Sequence, residues 1–272
     1  MLGDIISYVI LIISAILALI PLGWVVSTSM KPVQEVFVNP PKWIPDNPTL
    51  SNYENVLLNS NIPRAFYNSL VVGMGVAILA LLLGGASGYA FSRFKFRGSK
   101  FLSLFMLTSQ MLPVTVLMIP MFYMGNNLGI LDRKIALVFA HLVIAMPLVT
   151  WMSKGYFDGI PAEIEEAARI DGCGTLRTLW SIVLPLLRPA LAATGIYAFV
   201  SSWNEFALAN VLTRSINSRT VPITLSEFST FFRVNWGDTM AAAAIITIPV
   251  VIVFMALQKH FVAGLANGAV KG

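Results

Sequence analysis

Apolar residues dominate six long stretches of this chain, and shorter polar segments separate them. A helix that crosses a lipid bilayer needs about 20 predominantly apolar residues, and each stretch is close to that length. The pattern therefore predicts an all-α, polytopic membrane protein with six transmembrane helices. The predicted spans cover residues 5–26, 66–91, 101–124, 135–152, 188–211 and 239–257.

Glycine and proline add detail to this pattern. The second span carries a patch of small residues between Gly84 and Gly88 that suits close contact with another helix. Pro113 and Pro120 interrupt the third span, so backbone carbonyls there need partners from neighbouring helices or water. Residues 31–64 contain six prolines and are predicted to be irregular, with one short helix at about 51–58.

The composition agrees with a membrane protein. With 57% apolar and 11% charged residues, the 272-residue chain has too few charges to cover a soluble globule. Its single cysteine, Cys173, excludes an internal disulfide and a metal site built from several cysteines. The net charge of +5 is attributed to basic loops and not to nucleic-acid binding, because no basic run interleaved with aromatic residues is predicted on a soluble face.

The basic residues also predict the orientation in the membrane. Arg93, Lys95, Arg97 and Lys100 fall within eight positions of one short loop, and such a cluster marks a cytoplasmic loop. Both termini and the loop at 158–187 are then predicted to be cytoplasmic.

A polar segment after the fourth span, residues 163–188, predicts two short helices. Pro161 suits the first helical position, glutamates fill the first turn, and Gly172 suits the stop of a helix of about ten residues. Thr175 can cap a second helix, which Pro185 ends or kinks. Its apolar stripe comprises Leu176, Leu179, Trp180, Val183 and Leu184.

Two such helices have little core of their own and need a partner. The second helix is expected to pack inward, while the first faces another protein whose basic residues could meet Glu165 and Glu166. Two alternatives stay open. The segment could be an amphipathic loop on the membrane surface, or it could only cover the ends of the fourth and fifth spans.

The segment resembles the EAA signature of ABC-importer permeases. The matching positions are Glu166, Ala167, Ala168, Gly172, Ile182, Leu184 and Pro185. Asp171 and the run Leu187-Arg188-Pro189 are similar to the carbohydrate-uptake branch, and the chain resembles the maltose-type subunit without a large extracytoplasmic insertion. The resemblance implies a type I ABC importer transmembrane fold, a single permease domain over residues 1–272, and a prokaryotic inner-membrane location.

Partners and coupling residues are also implied by the resemblance. The partners are a second homologous permease, two cytoplasmic ATPase subunits, an extracytoplasmic sugar-binding protein docked on loops 31–64 and 212–238, a sugar and membrane lipid. The loop at 158–187 couples to the ATPase in that family. The coupling residues in this chain are then Glu165, Glu166, Ala167, Ala168, Asp171, Gly172, Leu184 and Pro185.

The final residues, 261–272, are small and glycine-rich. Their composition alone predicts a frayed end. The resemblance implies instead a tail that contacts the ATPase subunits through Gly264, Leu265, Gly268 and Lys271.

No catalytic motif occurs in the sequence. It contains neither the phosphate-binding motif G-x-x-x-x-G-K-[ST] nor the zinc motif H-E-x-x-H. The chain is therefore expected to be no enzyme and to bind no cofactor or metal, and its energy source is expected to be another subunit or an ion gradient. The resemblance implies that ATP and Mg are held by partner subunits.

One acidic residue, Glu205, falls inside a predicted span, about 26 Å along the fifth helix. With Trp203 and Asn204 it offers carboxylate, aromatic and amide groups that suit a sugar path, to which Gln110 and Tyr123 are further candidates. The alternatives are that Trp203 anchors at the membrane interface, that Glu205 is hydrated or paired with another chain, and that the other polar groups bond between helices.

The functional prediction is a permease that translocates a sugar or oligosaccharide, driven by ATP hydrolysis on separate subunits. A polyol or glycerol phosphate is an alternative cargo. An ion-coupled secondary transporter is disfavoured because the sequence offers neither a mid-span acid nor a clear repeat. An intramembrane enzyme is disfavoured because no nucleophile and base occur at matched depth.

Overall fold

The computed structural model describes the backbone of residues 2–230 and 233–269, and the side chains of residues 3–228 and 235–255. Helices account for most of this part of the chain. They are α1 Leu2–Ser29, α2 Val33–Val36, α3 Ser51–Leu58, α4 Ile62–Arg93, α5 Ser99–Ser109, α6 Val114–Asn127, α7 Lys134–Asp158, α8 Ala162–Ile170, α9 Thr175–Thr178, α10 Leu184–Leu186, α11 Arg188–Trp203, α12 Ala207–Leu212, α13 Val221–Glu227 and α14 Trp236–Ala269. A π-helical segment, Leu179–Val183, joins α9 to α10, and the two-residue strands β1 (Ser229–Thr230) and β2 (Arg233–Val234) pair antiparallel.

Within the described part of the chain, four helical segments are each long and apolar enough to cross a membrane. They are Gly3–Ser29, Ile62–Arg93, Lys134–Asp158 and Trp236–Met255. Two bent pairs bring the number to six when each pair is counted as one span: α5 with α6, bent by 102°, and Thr175–Leu186 with α11, bent by 82°. The prediction of an all-α, polytopic membrane protein is confirmed.

Three of the predicted spans differ from the helices in the structure. The third, 101–124, is broken between α5 and α6, because Pro113 is extended (φ −60°, ψ 132°) and proline disfavours a helical residue before it. The fifth, 188–211, stops at Trp203, and the chain turns before α12. The sixth was predicted to end at 257, but the backbone of α14 remains helical to Ala269.

The chain divides into two compact units, and the first comprises residues 1–66 and 223–249. Its apolar core contains Val56, Ile62, Ala241 and Ala242. The buried amide of Asn52 donates hydrogen bonds to the carbonyls of Ser29 and Lys31, both at 2.9 Å, and so ties α3 to the end of α1.

The second unit comprises residues 67–222 and 250–272, and α4 and α7 both contribute many of its buried residues. Close contact between α4 and α7 depends on two glycines one turn apart. A Cβ added at Gly84 would lie 2.5 Å from Val149 Cγ1, and one at Gly88 would lie 2.6 Å from the Cβ of Ser153. The predicted use of this small-residue patch in helix contact is confirmed.

Asp132, in the turn between α6 and α7, holds the loop that follows α12. Its carboxylate accepts hydrogen bonds from the backbone N–H groups of Arg214 (2.8 Å) and Ser215 (2.9 Å) and from the hydroxyl of Ser218. Burial alone would raise the pKa of Asp132, but these hydrogen bonds to the charged form lower it well below its usual range. The carboxylate therefore stays ionised and keeps the loop bound to this turn.

Candidate coupling site

The first helix of the predicted coupling segment is α8, and its end has a complete Schellman cap. Gly172 has φ +82°, its N–H donates to Arg169 at 3.0 Å, and the N–H of Cys173 donates to Ala168 at 2.9 Å. The left-handed conformation is one that glycine adopts without a steric penalty. The predicted stop at Gly172 is confirmed, whereas Pro161 precedes the first helical residue and does not occupy it.

The second helix runs from Thr175 to Leu186 through the π-helical segment. Gly174 occupies the N-cap position and no side chain caps the helix, so the predicted cap by Thr175 is wrong. Pro185 lies inside the last turn, and the chain bends at Leu187, just beyond it. Pro185 thus stands next to the kink that it was predicted to cause.

The apolar stripe of the second helix divides into two parts. Val183 is buried, with Leu179 and Leu184 packed against the same apolar cluster, which also contains Tyr89, Phe157, Ile160 and Leu187. Leu176 and Trp180, however, are 73% and 62% exposed, and Ile170 at the end of α8 is 86% exposed. The expectation that the whole stripe packs inward is therefore wrong for Leu176 and Trp180.

Glu165 does not lie on the exposed face of α8, where it was expected to meet a partner. Its side chain is 4% exposed and forms an ion pair of 2.6 Å with Nε of Arg93, the last residue of α4. The hydroxyl of Tyr89 lies 2.9 Å from its other carboxylate oxygen. This pairing corrects the expectation for Glu165, and it gives Arg93 a contact that its predicted place in a basic loop did not indicate.

Of the other predicted coupling residues on α8 and its cap, four are exposed and one is buried. Ala168 is buried against the body of the second unit. The exposed ones are Glu166, Ala167, Asp171 and Gly172. With the exposed side chains of Ile170, Leu176 and Trp180, they make up what we call the coupling surface.

Glu205 occupies the turn between α11 and α12 and is not part of a continuous helical span. Its carboxylate accepts hydrogen bonds from the N–H groups of Leu208 (2.8 Å) and Ala209 (3.0 Å), as an N-cap residue does. His141 Nε2 on α7 lies 3.1 Å from Glu205 Oε2, and His141 Nδ1 is 2.8 Å from the hydroxyl of Ser202. The pairing of Glu205 with His141 was missed, since 64 residues separate them and no motif links them.

The remaining candidates for a sugar path lie in different environments. Trp203 is buried and stacks on Phe199 with ring centroids 5.5 Å apart. Asn204, Gln110 and Tyr123 are exposed, and Gln110 also donates to the carbonyl of Ile144 at 2.9 Å. The structure therefore brings Glu205 together with His141 and Ser202, and leaves the amides and the tyrosine at the surface.

Comparison with known proteins decides the family. Residues 68–267 match the binding-protein-dependent transport system inner membrane component family, which is more than half of the chain. The chain belongs to this family. It is therefore a membrane-embedded permease subunit of an ABC transporter and not an enzyme.

Individual relatives agree along nearly the whole permease. It is 31% identical to the diacetylchitobiose uptake system permease protein DasC of Streptomyces coelicolor, over 93% of this chain and 91% of that protein. It is 34% identical to the trehalose/maltose transport system permease protein MalG of Thermococcus litoralis, over 96% and 94% of the two chains. Both relatives are transport permeases, as the sequence predicted.

A solved structure agrees as well. The permease superposes with a TM-score of 0.80 on a chain of a bacterial ABC transporter involved in the import of the acidic polysaccharide alginate, at 26% identity and 96% coverage of both chains. This likeness confirms the predicted type I ABC importer transmembrane fold. The predicted ATPase-contacting tail, with Gly264, Leu265, Gly268 and Lys271, lies outside the residues whose side chains the structure describes.

Proposed function

We propose that the permease imports a sugar or oligosaccharide delivered by an extracytoplasmic binding protein. In this proposal it acts beside a second homologous permease, and two ATPase subunits supply the energy. Its termini and coupling surface face the cytoplasm of a prokaryotic cell. Relatives named for diacetylchitobiose and for trehalose/maltose support a carbohydrate as cargo.

The observation that carries the ATPase contact is the coupling surface itself. Ile170, Leu176 and Trp180 expose large apolar side chains on a loop that also carries the exposed charges of Glu166 and Asp171. Aromatic and apolar anchors within a polar rim are the usual composition of the centre of a protein interface. The EAA signature falls on the same loop, which supports an ATPase subunit as the protein that covers it.

Reconstitution tests the proposed function. The complex purified in mild detergent should contain a second permease and ATPase subunits, and in vesicles with the binding protein it should take up an oligosaccharide only with ATP. We expect vanadate to stop this uptake and a protonophore to leave it unchanged. Uptake abolished by the protonophore alone would favour an ion-coupled transporter, and screening polyols and glycerol phosphate against the binding protein tests the alternative cargo.

Cys173 allows a direct test of the coupling surface. It is the single cysteine of the chain and is partly exposed beside Gly172. A photoreactive cross-linker attached to this thiol should therefore join Cys173 to an ATPase subunit in the assembled complex. A cross-link to no other subunit would contradict the proposed contact.

Gly172→Val is expected to leave membrane insertion intact and to remove most ATP-dependent uptake. A valine at φ +82° is strained, at about 1–2 kcal/mol for the left-handed backbone alone, so the Schellman cap and the coupling surface would rearrange. The matched control is Gly174→Val, because Gly174 has φ −72° and both positions open into free space. Wild-type uptake by Gly172→Val would contradict the requirement for this turn.

A further inference from the structure

The ion pair between Arg93 and Glu165 is difficult to explain by stability alone. Both side chains are largely buried, at 16% and 4% exposure. Removing two charges from water is costly, and well-packed apolar residues of similar volume often stabilise a protein equally well or better. Such a pair does, however, fix the relative arrangement of the elements that carry its two residues.

The hydrogen bonds around the pair fix three elements in one register. One carboxylate oxygen of Glu165, on α8, accepts a hydrogen bond of 2.6 Å from Nε of Arg93. The other oxygen accepts one of 2.9 Å from the hydroxyl of Tyr89. A second guanidinium nitrogen of Arg93 donates to the carbonyl of Ile160, in the link between α7 and α8, at 2.9 Å. The end of α4 is thus bonded both to α8 and to the link that precedes it.

The same end of α4 is also attached to α7. The hydroxyl of Ser92 donates to Asp158 at 2.6 Å, and Lys154 donates to the other oxygen of Asp158 at 2.5 Å. The bond between Ser92 and Asp158 and the close contact at Gly88 hold α4 and α7 together where α8 meets them.

We propose that Arg93 and Glu165 are positioning residues that transmit a displacement of the coupling surface to α4, the second transmembrane helix. This inference rests on the proposed function, in which ATPase subunits move α8. Apolar contacts such as those of Ile164 and Ala168 are non-directional. The charged hydrogen bonds have a fixed geometry, so α8 can neither rotate nor slide against α4 while the pair is intact.

The test replaces Glu165 by glutamine in the complete, reconstituted complex. Glutamine keeps the side-chain size and can still bond to Tyr89, but it removes the charge that holds Arg93. We expect the amount of sugar transported per ATP hydrolysed to fall about tenfold, within the usual range of coupling between sites. ATP hydrolysis and the yield of assembled complex should stay close to wild type, because the coupling surface is unchanged.

Matched variants separate this role from a structural one. Glu163→Gln removes a charge from the exposed face of the same helix and should leave the transport ratio unchanged. The double variant Arg93→Glu with Glu165→Arg, which exchanges the two charges, should recover part of the sugar transported per ATP hydrolysed. If the complex with Glu165→Gln does not assemble, the test uses the apolar double variant Arg93→Met with Glu165→Leu instead. Assembly with a normal ratio would overturn the proposal, and assembly with a low ratio would support it.

Failure of this inference can be distinguished from failure of the proposed function. If Cys173 of the wild-type complex cross-links to an ATPase subunit and Glu165→Gln transports at the wild-type ratio, the inference is wrong and the proposed contact stands. If the cross-link to the ATPase does not form, the proposed contact fails, and the inference that rests on it fails as well.

Discussion

Glu205→Ala is expected to lower the free energy of unfolding by about 1–3 kcal/mol, the usual cost of leaving buried hydrogen-bonding groups without a partner. The substitution leaves the N–H groups of Leu208 and Ala209 without their carboxylate partner, and it leaves His141 buried without its acid. Loss of a helix cap alone accounts for about 1 kcal/mol. The thermal unfolding midpoint of the purified permease in detergent measures the effect.

The control for this prediction is Glu54→Ala, which removes an exposed glutamate from the first turn of α3. It should change the midpoint little, since exposed charges contribute little to stability. A double-mutant cycle with His141→Ala should give a coupling energy of at least about 0.5 kcal/mol, as expected for residues in contact. Independent effects of the two substitutions would show that Glu205 does not act through His141, and would return it to the candidates for sugar contact.

Gly88→Ala is expected to destabilise the permease by about 1–3 kcal/mol, the usual cost of overpacking a close contact. The new Cβ would lie 2.6 Å from the Cβ of Ser153 and 2.8 Å from the backbone nitrogen of Lys154, so a helix backbone would have to move. Alanine in place of glycine otherwise favours a helix by about 1 kcal/mol. The expected net loss in the free energy of unfolding is therefore the cost of the clash minus this gain.

The adjacent Gly85→Ala provides the comparison for this variant. Gly85 lies in the same helix and has no atom within 4 Å of an added Cβ, so only the helix-forming gain applies there. Its unfolding midpoint should equal or exceed that of the wild type. Equal midpoints for the two alanine variants would contradict the close contact of α4 with α7 at Gly88.

Local backbone chemistry made several features of the permease predictable from the sequence. Gly172 ends α8 as expected because the turn requires a left-handed residue, and Gly84 and Gly88 permit the helix contact that their small size suggested. The apolar runs indicated helices because every backbone N–H and C=O group in lipid needs a hydrogen-bond partner, which a helix supplies within itself.

Contacts between residues that are distant in sequence were not predictable. Glu165 was assigned to an exposed face because it is charged, although it shares one side of α8 with Ile164 and Ala168, which pack inward. An acid on the apolar side of a short helix is a signal that could have indicated a buried partner. It would not have identified Arg93, which is 72 residues away.

The broken spans show a second limit of the same kind. Pro113 was recognised as an interruption, but the sequence alone did not indicate that α5 and α6 meet at 102°. Glu205 was assigned a depth by counting residues along a straight helix, whereas the helix ends at Trp203. Helix direction after a break depends on tertiary packing, which local propensity does not determine.

The 82° bend between the second coupling helix and α11 has a mechanical consequence. A push along the axis of one helix reaches the other almost at a right angle. The span therefore tilts as a rod and does not slide along its own length, so its ends swing within the membrane plane. Tilt changes the apolar length that the span presents across the bilayer, at a fraction of a kcal/mol per Å of mismatch, so such a stroke favours small angles.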